Sequence, residues 1–305
     1  MSAGKRLAVG ATALVLAGVT ACSSAAPAPV GAGSGSSSSS PSSSSPSPAP
    51  GATVPTPDHV MVVIFENEDA KNVVGSPDAP YLTSLASRGV TFTDAHGETH
   101  PSQPNYLALF SGSTQGVVDN SCPLTLSGPN LAAQLQDAGR TFIGYSEDLP
   151  APGYTGCNAG DYARKHNPWV NFDNLPASVN QPYSALPADY ADLPTVSFVV
   201  PNLCNDMHDC GVAAGDSWAA AHLPGYVSWA EQHNSLLVVT FDEDNGSSAN
   251  HIATLLVGPM VEPGTSDQRV DHYNVLRTLE DMYGLPPLGE AAAAEPLSGV
   301  WTEPR

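Results

Sequence analysis

Short runs of consecutive apolar residues alternate with amphipathic stretches along the chain after about residue 58. The runs are rich in β-branched residues and apolar on both sides, a pattern typical of strands buried on both faces of a sheet. They cover residues 59–65, 89–95, 140–147, 195–202, 235–244 and 251–258. The pattern therefore predicts six buried strands.

Three amphipathic stretches between these runs end at a glycine, which readily adopts the left-handed conformation that ends many helices. The glycines are Gly89, Gly139 and Gly284. Alternation of strands with such helices predicts an α/β fold with a mostly parallel central sheet and helices on both faces.

The first part of the chain has a different composition. Two basic residues, an apolar stretch and a run of small residues make residues 1–22 look like an export signal. Its end resembles a bacterial lipoprotein cleavage region, which predicts lipidation of Cys22; an ordinary secretory signal is the alternative. Residues 23–57 are mostly Ser, Pro, Gly and Ala, which predicts a flexible tether before a catalytic domain at 58–305.

The formal net charge is −20, from 30 acidic against 10 basic side chains. Such a chain repels a phosphate backbone, so we expect no nucleic-acid partner. The membrane contact that we expect is through the N-terminal lipid only, and the oligomeric state is not predicted.

Four cysteines remain after Cys22, an even number in a chain expected to be exported, where disulfides persist. Pairing nearest neighbours gives Cys122–Cys157 and Cys204–Cys210. The sequence leaves this connectivity open, and a zinc site is a rival interpretation of the stretch "CNDMHDC".

Polar residues follow three of the apolar runs at their carboxyl ends. They are Glu66 and Asn67, then Asn202 with Asp206 and His208, and finally Asp242 and Glu243. Ligands of open α/β sheets bind at the carboxyl ends of the strands, so we expect these side chains to converge. Clustered carboxylates repel one another unless a cation lies between them. The oxygen-rich set at 66, 67, 242 and 243 predicts one divalent ion, with Ca²⁺ or Mg²⁺ favoured.

Ser102 lies between Pro101 and Pro104, directly before a helical stretch. The amides and the dipole at a helix N-terminus suit a phosphate, and a hydroxyl placed there could attack a phosphorus atom. The alternative is that Ser102 only caps the helix, which is the usual role of serine in this place.

Several stretches together resemble the bacterial and fungal acid phosphatase and phospholipase C phosphoesterase family, within the alkaline phosphatase superfamily. They include "VVIFENEDAKNVVG", "HPSQPNYLALFSGS", "ARKHNPWVNF", "FVVPNLCNDMHDCG" and "VVTFDEDNG", and occur in the family's order from about residue 58 to 290. The resemblance implies a three-layer α/β/α sandwich and a covalent phospho-enzyme mechanism with one active-site metal.

The resemblance also implies roles for single residues. Ser102 matches the nucleophile, and the four oxygen-bearing residues named above match the metal ligands. The residues expected to meet the phosphate and the leaving group are Asp206 and His208 as catalytic groups, and Asn105, Asn202 and His166 as substrate-binding groups. An imidazolium at His208 could donate a proton to the leaving oxygen.

Three other histidines receive weaker predictions. His251 starts the last apolar run, so we expect it to point away from the strand-end edge. His100 is close to Ser102 along the chain, which does not establish that their side chains meet. His272 opens the last helical stretch, where it could support the site or merely cap and pack the helix.

The leading hypothesis is an exported, surface-anchored, metal-dependent acid phosphatase that hydrolyses small phosphomonoesters through a phosphoserine. One alternative is a phospholipase C-like phosphodiesterase that uses the same site. Another is a lipoprotein that binds a phosphorylated ligand without turning it over.

Overall fold

The computed structural model describes residues 54–302. The predicted signal at 1–22, its Cys22, and the tether up to residue 53 lie outside the described residues. Ten strands are present: β1 His59–Phe65, β2 Val90–Ala95, β3 Phe142–Ser146, β4 Asn158–Ala159, β5 Tyr162–Ala163, β6 Asn180–Pro182, β7 Val196–Val200, β8 Ser235–Phe241, β9 Thr254–Val257 and β10 Gly264–Val270. Six helices accompany them: α1 Ala70–Val73, α2 Pro80–Ala86, α3 Ser102–Ser111, α4 Leu131–Asp137, α5 Val212–Ala230 and α6 His272–Tyr283.

Eight strands form one sheet in the order β10-β2-β9-β8-β1-β7-β3-β6, and β4 pairs with β5 in a separate small hairpin. Strand β1 lies at the centre and is parallel to both of its neighbours, with Val60 opposite Val196 of β7 and Leu236 of β8. Strand β9 is antiparallel to both β2 and β8. The sheet is therefore mostly parallel, which confirms the prediction.

Helices cover the sheet as two groups, α2 with α5 and α3 with α4 and α6. Aromatic side chains join each group to the sheet. Phe110 of α3 packs against Phe198 of β7 with ring centroids 5.8 Å apart. Trp218 of α5 packs edge-on against Phe65 of β1 at 6.0 Å. These layers form the expected α/β/α sandwich.

All six predicted strands are present. Strand β10 and helix α5 were not predicted, because β10 is largely exposed and α5 contains Gly215 and Pro224. Both features hide the expected pattern of an element.

Two of the three predicted glycine caps are confirmed. Gly139 and Gly284 adopt left-handed conformations, with φ of 71° and 64°. The cap at Gly89 is wrong, since α2 already ends at Ala86 and is followed by Ser87 in the right-handed region. Gly89 instead allows the backbone of Leu256 to pass close by, because a Cβ at residue 89 would lie 1.9 Å from the carbonyl oxygen of Leu256.

Residues 54–57, which the sequence assigns to the tether, contact the folded domain. Val54 packs against the hydrophobic core, and the Pro57 carbonyl accepts a hydrogen bond of 3.2 Å from the Tyr283 hydroxyl. The contacts with the catalytic domain therefore extend to at least residue 54, slightly before the predicted boundary at 58.

Both disulfides form with nearest-neighbour pairing, Cys122–Cys157 and Cys204–Cys210. The zinc interpretation of "CNDMHDC" is therefore wrong, since both of its thiols are joined to each other. Within residues 54–302, no helix combines the length and the apolar character needed to cross a bilayer.

Candidate active site

Two adjacent parallel strands bring the first acidic residues together. Phe65 of β1 is paired with Phe241 of β8, so Glu66 and Asp242 each follow a strand end at the same edge of the sheet. The backbone N–H of Asn67 donates to Asp242 Oδ1 at 3.2 Å. Glu66 and Asp242 are both buried. The predicted convergence at the strand ends is therefore observed for these acids.

Ser102 is the first residue of α3, and its buried hydroxyl points at the acids. Its Oγ lies 3.1 Å from Glu66 Oε2 and 3.0 Å from Glu243 Oε1. The residue at the cap position is Pro101, and the start of α3 has no side-chain cap. A hydroxyl that donates to carboxylates does not cap the helix, so the capping interpretation is wrong.

The loop before α3 is fixed by Asn105. Its Oδ1 accepts hydrogen bonds from the amides of Glu98 and Thr99 at 2.9 and 3.0 Å, and its Nδ2 donates to the Thr99 carbonyl at 2.8 Å. Asn105 was predicted to bind substrate. In the structure its side chain holds the loop that leads to Ser102, and its contact with substrate stays a prediction.

Next to the serine, the surface opens into a cleft of about 400 Å³. Its lining comprises Asn67, His100, Pro101, Glu243, Asp244, Asn245 and Gly246. Asn67 has a left-handed backbone with φ of 55°, a conformation that asparagine tolerates better than most residues. This conformation places Asn67 at the cleft.

The acids lie close enough to perturb one another. Burial, and then the charges of Glu66 and Glu243, raise the pKa of Asp242 well above its usual range. Burial is also the main cause of the raised pKa of Glu243. Oε1 of Glu66 and Oδ2 of Asp242 are buried and accept no hydrogen bond. Such a set of oxygens fits a hard divalent cation, which would partner these oxygens and offset the repulsion.

A buried histidine approaches the cluster from the other side. His166 Nδ1 lies 3.0 Å from Asp206 Oδ2, and its Nε2 lies 2.9 Å from Glu66 Oε1 without hydrogen-bond geometry. Burial lowers the pKa of His166, but the two carboxylates outweigh it and raise that pKa to about 9. Burial likewise raises the pKa of Glu66, but His166 outweighs it and leaves the value lowered.

Tyr106 of α3 fixes the histidine from one face. Its ring stacks on His166, with centroids 5.2 Å apart and planes inclined by 13°. Burial is also the main cause of the raised pKa of Asp206, the partner of His166. Asp206 and His166, which were predicted separately as a catalytic and a substrate-binding group, therefore lie in contact next to Glu66.

His208 contacts charged groups with both ring nitrogens. Its Nδ1 lies 2.6 Å from Asp209 Oδ1, and its Nε2 lies 2.9 Å from Lys165 Nζ. An ammonium has only donors, so Nε2 accepts in this contact.

One further grouping could hold a metal ion. Ligand atoms of Glu66, His166 and His208 lie within 4.8 Å of one another. Nitrogen with oxygen suits a transition metal better than Ca²⁺. Glu66 belongs to both this grouping and the carboxylate cluster.

Asn202 does not join the cluster. Its Nδ2 donates to Asp148 at 2.7 Å, while its Oδ1 accepts from the amides of Cys204 and Asn205 at 3.1 and 2.9 Å. The side chain that was predicted to bind substrate therefore shapes the turn that leads to Asp206.

Two residues at the site were not predicted, His100 and Lys165. His100 Nδ1 makes a short hydrogen bond with Glu243, and its Nε2 lies 3.0 Å from the Ser247 carbonyl. Each is a near neighbour in sequence of a predicted residue, Ser102 and His166, and this is the signal that could have found them.

The prediction for His251 is wrong. Strand β9 runs antiparallel to β8, so its amino end lies at the edge where β8 ends. His251 therefore lies on the same side as the acids, and its amide donates to Asp244 Oδ2 at 3.2 Å. His272 supports the same edge from α6, with Nε2 2.8 Å from the carbonyl of Phe241.

A sequence model of the Phosphoesterase family matches residues 74–286. A phosphatidylinositol-3-phosphatase of Mycobacterium tuberculosis is 51% identical over 82% of this chain and 85% of its own length. An acid phosphatase of Aspergillus fumigatus is 31% identical over 74% of this chain, which spans 55% of that longer protein.

Solved structures agree on the fold. A protein of the alkaline phosphatase superfamily from Vibrio parahaemolyticus superposes with a TM-score of 0.55 at 15% identity, over 81% of this chain and 72% of its own. The lipoteichoic acid synthase LtaP of Listeria monocytogenes gives 0.54 at 11% identity, over 77% and 74% of the two chains. Such identities establish a shared architecture alone.

Proposed function

The chain belongs to the phosphoesterase family of hydrolases that act on phosphoester bonds, and we propose that it is a metal-dependent acid phosphatase that works through a phosphoserine. The observation that carries this proposal is the Ser102 hydroxyl, which lies within 3.1 Å of two carboxylates at the start of α3. We assign the nucleophile to Ser102.

In the proposed reaction, the Ser102 oxygen bonds to the phosphorus atom as the bond from phosphorus to the alcohol oxygen breaks, and the proton of Ser102 passes to the departing alcohol. Water then attacks the phosphoserine and returns a proton to the Ser102 oxygen, which releases phosphate. The imidazole of His166, oriented by Asp206, has a raised pKa that favours its positively charged form beside the reacting group. That charge would stabilise negative charge developing on the phosphoryl oxygens.

Glu66, Asn67, Asp242 and Glu243 are the residues that we propose to hold one divalent ion. Asp242 Oδ2, which is buried and accepts no hydrogen bond, supports this assignment. A bound ion would lower the pKa of the serine hydroxyl and offset phosphoryl charge.

We propose small phosphomonoesters as the substrate class. The Aspergillus relative is named an acid phosphatase, and the Mycobacterium relative is named for a lipid phosphomonoester. Phosphatidylinositol 3-phosphate is therefore the first lipid to test. A phospholipase C-like diesterase would instead prefer phosphatidylcholine and aryl phosphodiesters.

We further propose that the catalytic domain is exported and held at the cell surface by a lipid on Cys22. The two disulfides support export, because disulfides persist in oxidising compartments. The anchor would leave a single membrane contact, outside the catalytic domain.

The test is hydrolysis of para-nitrophenyl phosphate by the full chain across acidic to alkaline pH, with and without a chelator. Ser102→Ala should abolish turnover and also the acid-stable phosphoprotein that quenching traps in the wild type. Ser111→Ala is the matched control, because Ser111 lies in the same helix, is equally buried and bonds only to backbone and Gln115. Activity that persists in Ser102→Ala would remove the proposed mechanism.

A non-catalytic phosphate-binding protein predicts a different outcome. The wild type would then bind phosphate without hydrolysing any ester, and Ser102→Ala would leave that binding intact. Comparing the rates on a phosphomonoester, a phosphodiester and phosphatidylcholine separates the phosphatase from the diesterase.

A further inference from the structure

Lys165 differs from the other basic side chains of residues 54–302. Four of these form ion pairs with carboxylates: Lys71, Arg88, Arg269 and Arg277. Arg140 lies over the ring of Tyr283, and Arg164 donates to backbone carbonyls and Asn171. Within the described part of the chain, Lys165 has no carboxylate within ion-pair distance, and its one hydrogen bond is with His208.

A rigid turn holds Lys165 in this position. It lies in a short 3-10 turn, Arg164–His166, between two buried residues. The guanidinium of Arg164 is fixed by three carbonyl oxygens, those of Leu124, Thr155 and Val170. His166 is fixed by Asp206 and by the Tyr106 ring. The backbone of Lys165 therefore has little freedom.

The partner of Lys165 is also held in one orientation. His208 Nδ1 faces Asp209 Oδ1 at 2.6 Å, and the His208 amide donates to Asp206 Oδ1 at 2.9 Å. The lone pair of Nε2 consequently faces the ammonium. An ammonium carries three protons, so this contact uses one and leaves two for another acceptor.

A short chain of contacts connects the ammonium to the groups assigned to the reaction. Lys165 contacts His208, a ligand atom of His208 lies within 4.8 Å of those of Glu66 and His166, and Glu66 contacts the Ser102 hydroxyl. A phosphoryl group on Ser102 would lie among four buried acids, and Lys165 is the lysine that these contacts connect to it. These acids are Glu66, Asp206, Asp242 and Glu243.

The buried carboxylates would repel a phosphomonoester. Its dianion must enter a site crowded with carboxylates, in a chain with a net charge of −20. A phosphodiester carries one negative charge fewer, and so depends less on a further cation. Charge-assisted hydrogen bonds to phosphate oxygens are among the stronger polar contacts in proteins.

We propose that Lys165 binds the phosphoryl group directly and makes the site prefer dianionic phosphomonoesters over monoanionic phosphodiesters. This inference rests on the proposed function and names the residue that selects its substrate class. His208 is a positioning residue, because its Nε2 accepts a hydrogen bond from the ammonium of Lys165.

Calorimetric titration of the full chain, with metal restored, tests the inference without relying on turnover. The two probes are inorganic phosphate at a pH where it is mainly the dianion, and dimethyl phosphate, which stays a monoanion. Lys165→Met removes the charge at similar length, whereas Lys165→Arg keeps it. Lys71→Met is the matched control, since Lys71 pairs with Asp69 at an exposed position.

Lys165→Met should weaken binding of inorganic phosphate by roughly 10- to 100-fold, as expected for a hydrogen bond between charged groups. Binding of dimethyl phosphate should change by less than about threefold. Lys165→Arg should recover part of the loss, and Lys71→Met should match the wild type. The ratio of kcat/KM for para-nitrophenyl phosphate to that for bis-para-nitrophenyl phosphate should fall most in Lys165→Met, less in Lys165→Arg and not at all in Lys71→Met.

Equal losses for the two probes would overturn the inference, because they would indicate a general effect on the site. Unchanged phosphate affinity in Lys165→Met, or a wild type that binds neither probe, would overturn it as well. Failure of the proposed function would give a different result. Phosphate binding would still depend on Lys165, but either the wild type would hydrolyse no ester or Ser102→Ala would remain active.

Discussion

Carboxylates are buried in two different settings in this protein. In the active-site cluster of Glu66, Asp242 and Glu243, the acids lie beside one another and beside Ser102. In the scaffold, buried acids stand apart. Glu280 accepts one hydrogen bond from the Leu288 amide at 2.8 Å, and Asp216 accepts two, from the amides of Tyr81 and Leu82.

The negative charge of a buried acid is neutralised or stabilised differently in the two settings. Burial raises the pKa of Glu280 to about 8, so a proton neutralises it over most of the acidic range. Asp216 is stabilised as a carboxylate by two backbone donors. In the cluster, one acid raises the pKa of the next, and Asp242 Oδ2 is buried without a hydrogen bond. A single buried acid is thus compatible with a purely structural role, whereas the cluster offers the oxygens that the proposed cation would bind.

The largest expected effect comes from Asp242→Asn. Removing this charge should lower kcat/KM on para-nitrophenyl phosphate by at least about 100-fold. The reason is that Asp242 is a proposed direct ligand of the metal, and not a residue that only contacts a ligand. The metal-free variant should be at least as resistant to urea as the metal-free wild type, since repulsion with Glu66 and Glu243 disappears. Kinetics, metal analysis and urea unfolding with a chelator measure these effects.

Glu280→Gln is the matched control for that variant, because it neutralises a buried acid away from the cluster. It should leave kcat/KM and metal content unchanged. A variant Asp242→Asn that keeps its metal and its activity would break the distinction between the two settings.

A smaller effect is expected on the pH dependence of stability through Glu280. Its folded pKa of about 8 lies above the ordinary glutamate value of 4.5, so between these values the folded protein holds a proton that the unfolded chain releases. The stabilisation is full below about pH 4.5 and is lost as pH rises through 8. Glu280→Gln should remove this decline, giving the variant an advantage of about 1–4 kcal/mol at alkaline pH relative to acidic pH.

Urea unfolding of wild type and Glu280→Gln across this pH range measures the difference directly. The difference between the two proteins isolates Glu280 from other titrating groups. Parallel pH profiles would show that Glu280 is not neutralised by a proton in the folded state.

The smallest effect is expected for Asp216→Asn. One of its two amide contacts would then face an NH₂ group, so the free energy of unfolding should fall by about 1–3 kcal/mol. Activity should be unaffected, because Asp216 joins α5 to the start of α2, away from Ser102. Loss of activity in a variant that remains folded at assay temperature would contradict this separation.

The sequence by itself determined the parts of the fold that depend on local pattern. The six apolar runs became strands because continuous burial requires continuous apolar residues. Glu66 and Asp242 could be predicted to meet because each follows a buried strand, and parallel strands end at one edge. The cysteine pairing followed nearest neighbours, although the sequence could not exclude the other pairings.

Only the tertiary structure decided which side chains meet. The direction of β9 reverses the expected position of His251, and a short apolar run carries no information about direction. Asn105 and Asn202 match expected positions, but the Asn105 side chain is engaged by neighbouring backbone, and the Asn202 side chain by neighbouring backbone amides and by Asp148. Lys165 meets His208, 43 residues away, because two loops approach each other. Periodicity and propensity act over a few residues, whereas side-chain partners depend on how distant segments pack, and that packing set the chemistry of the site.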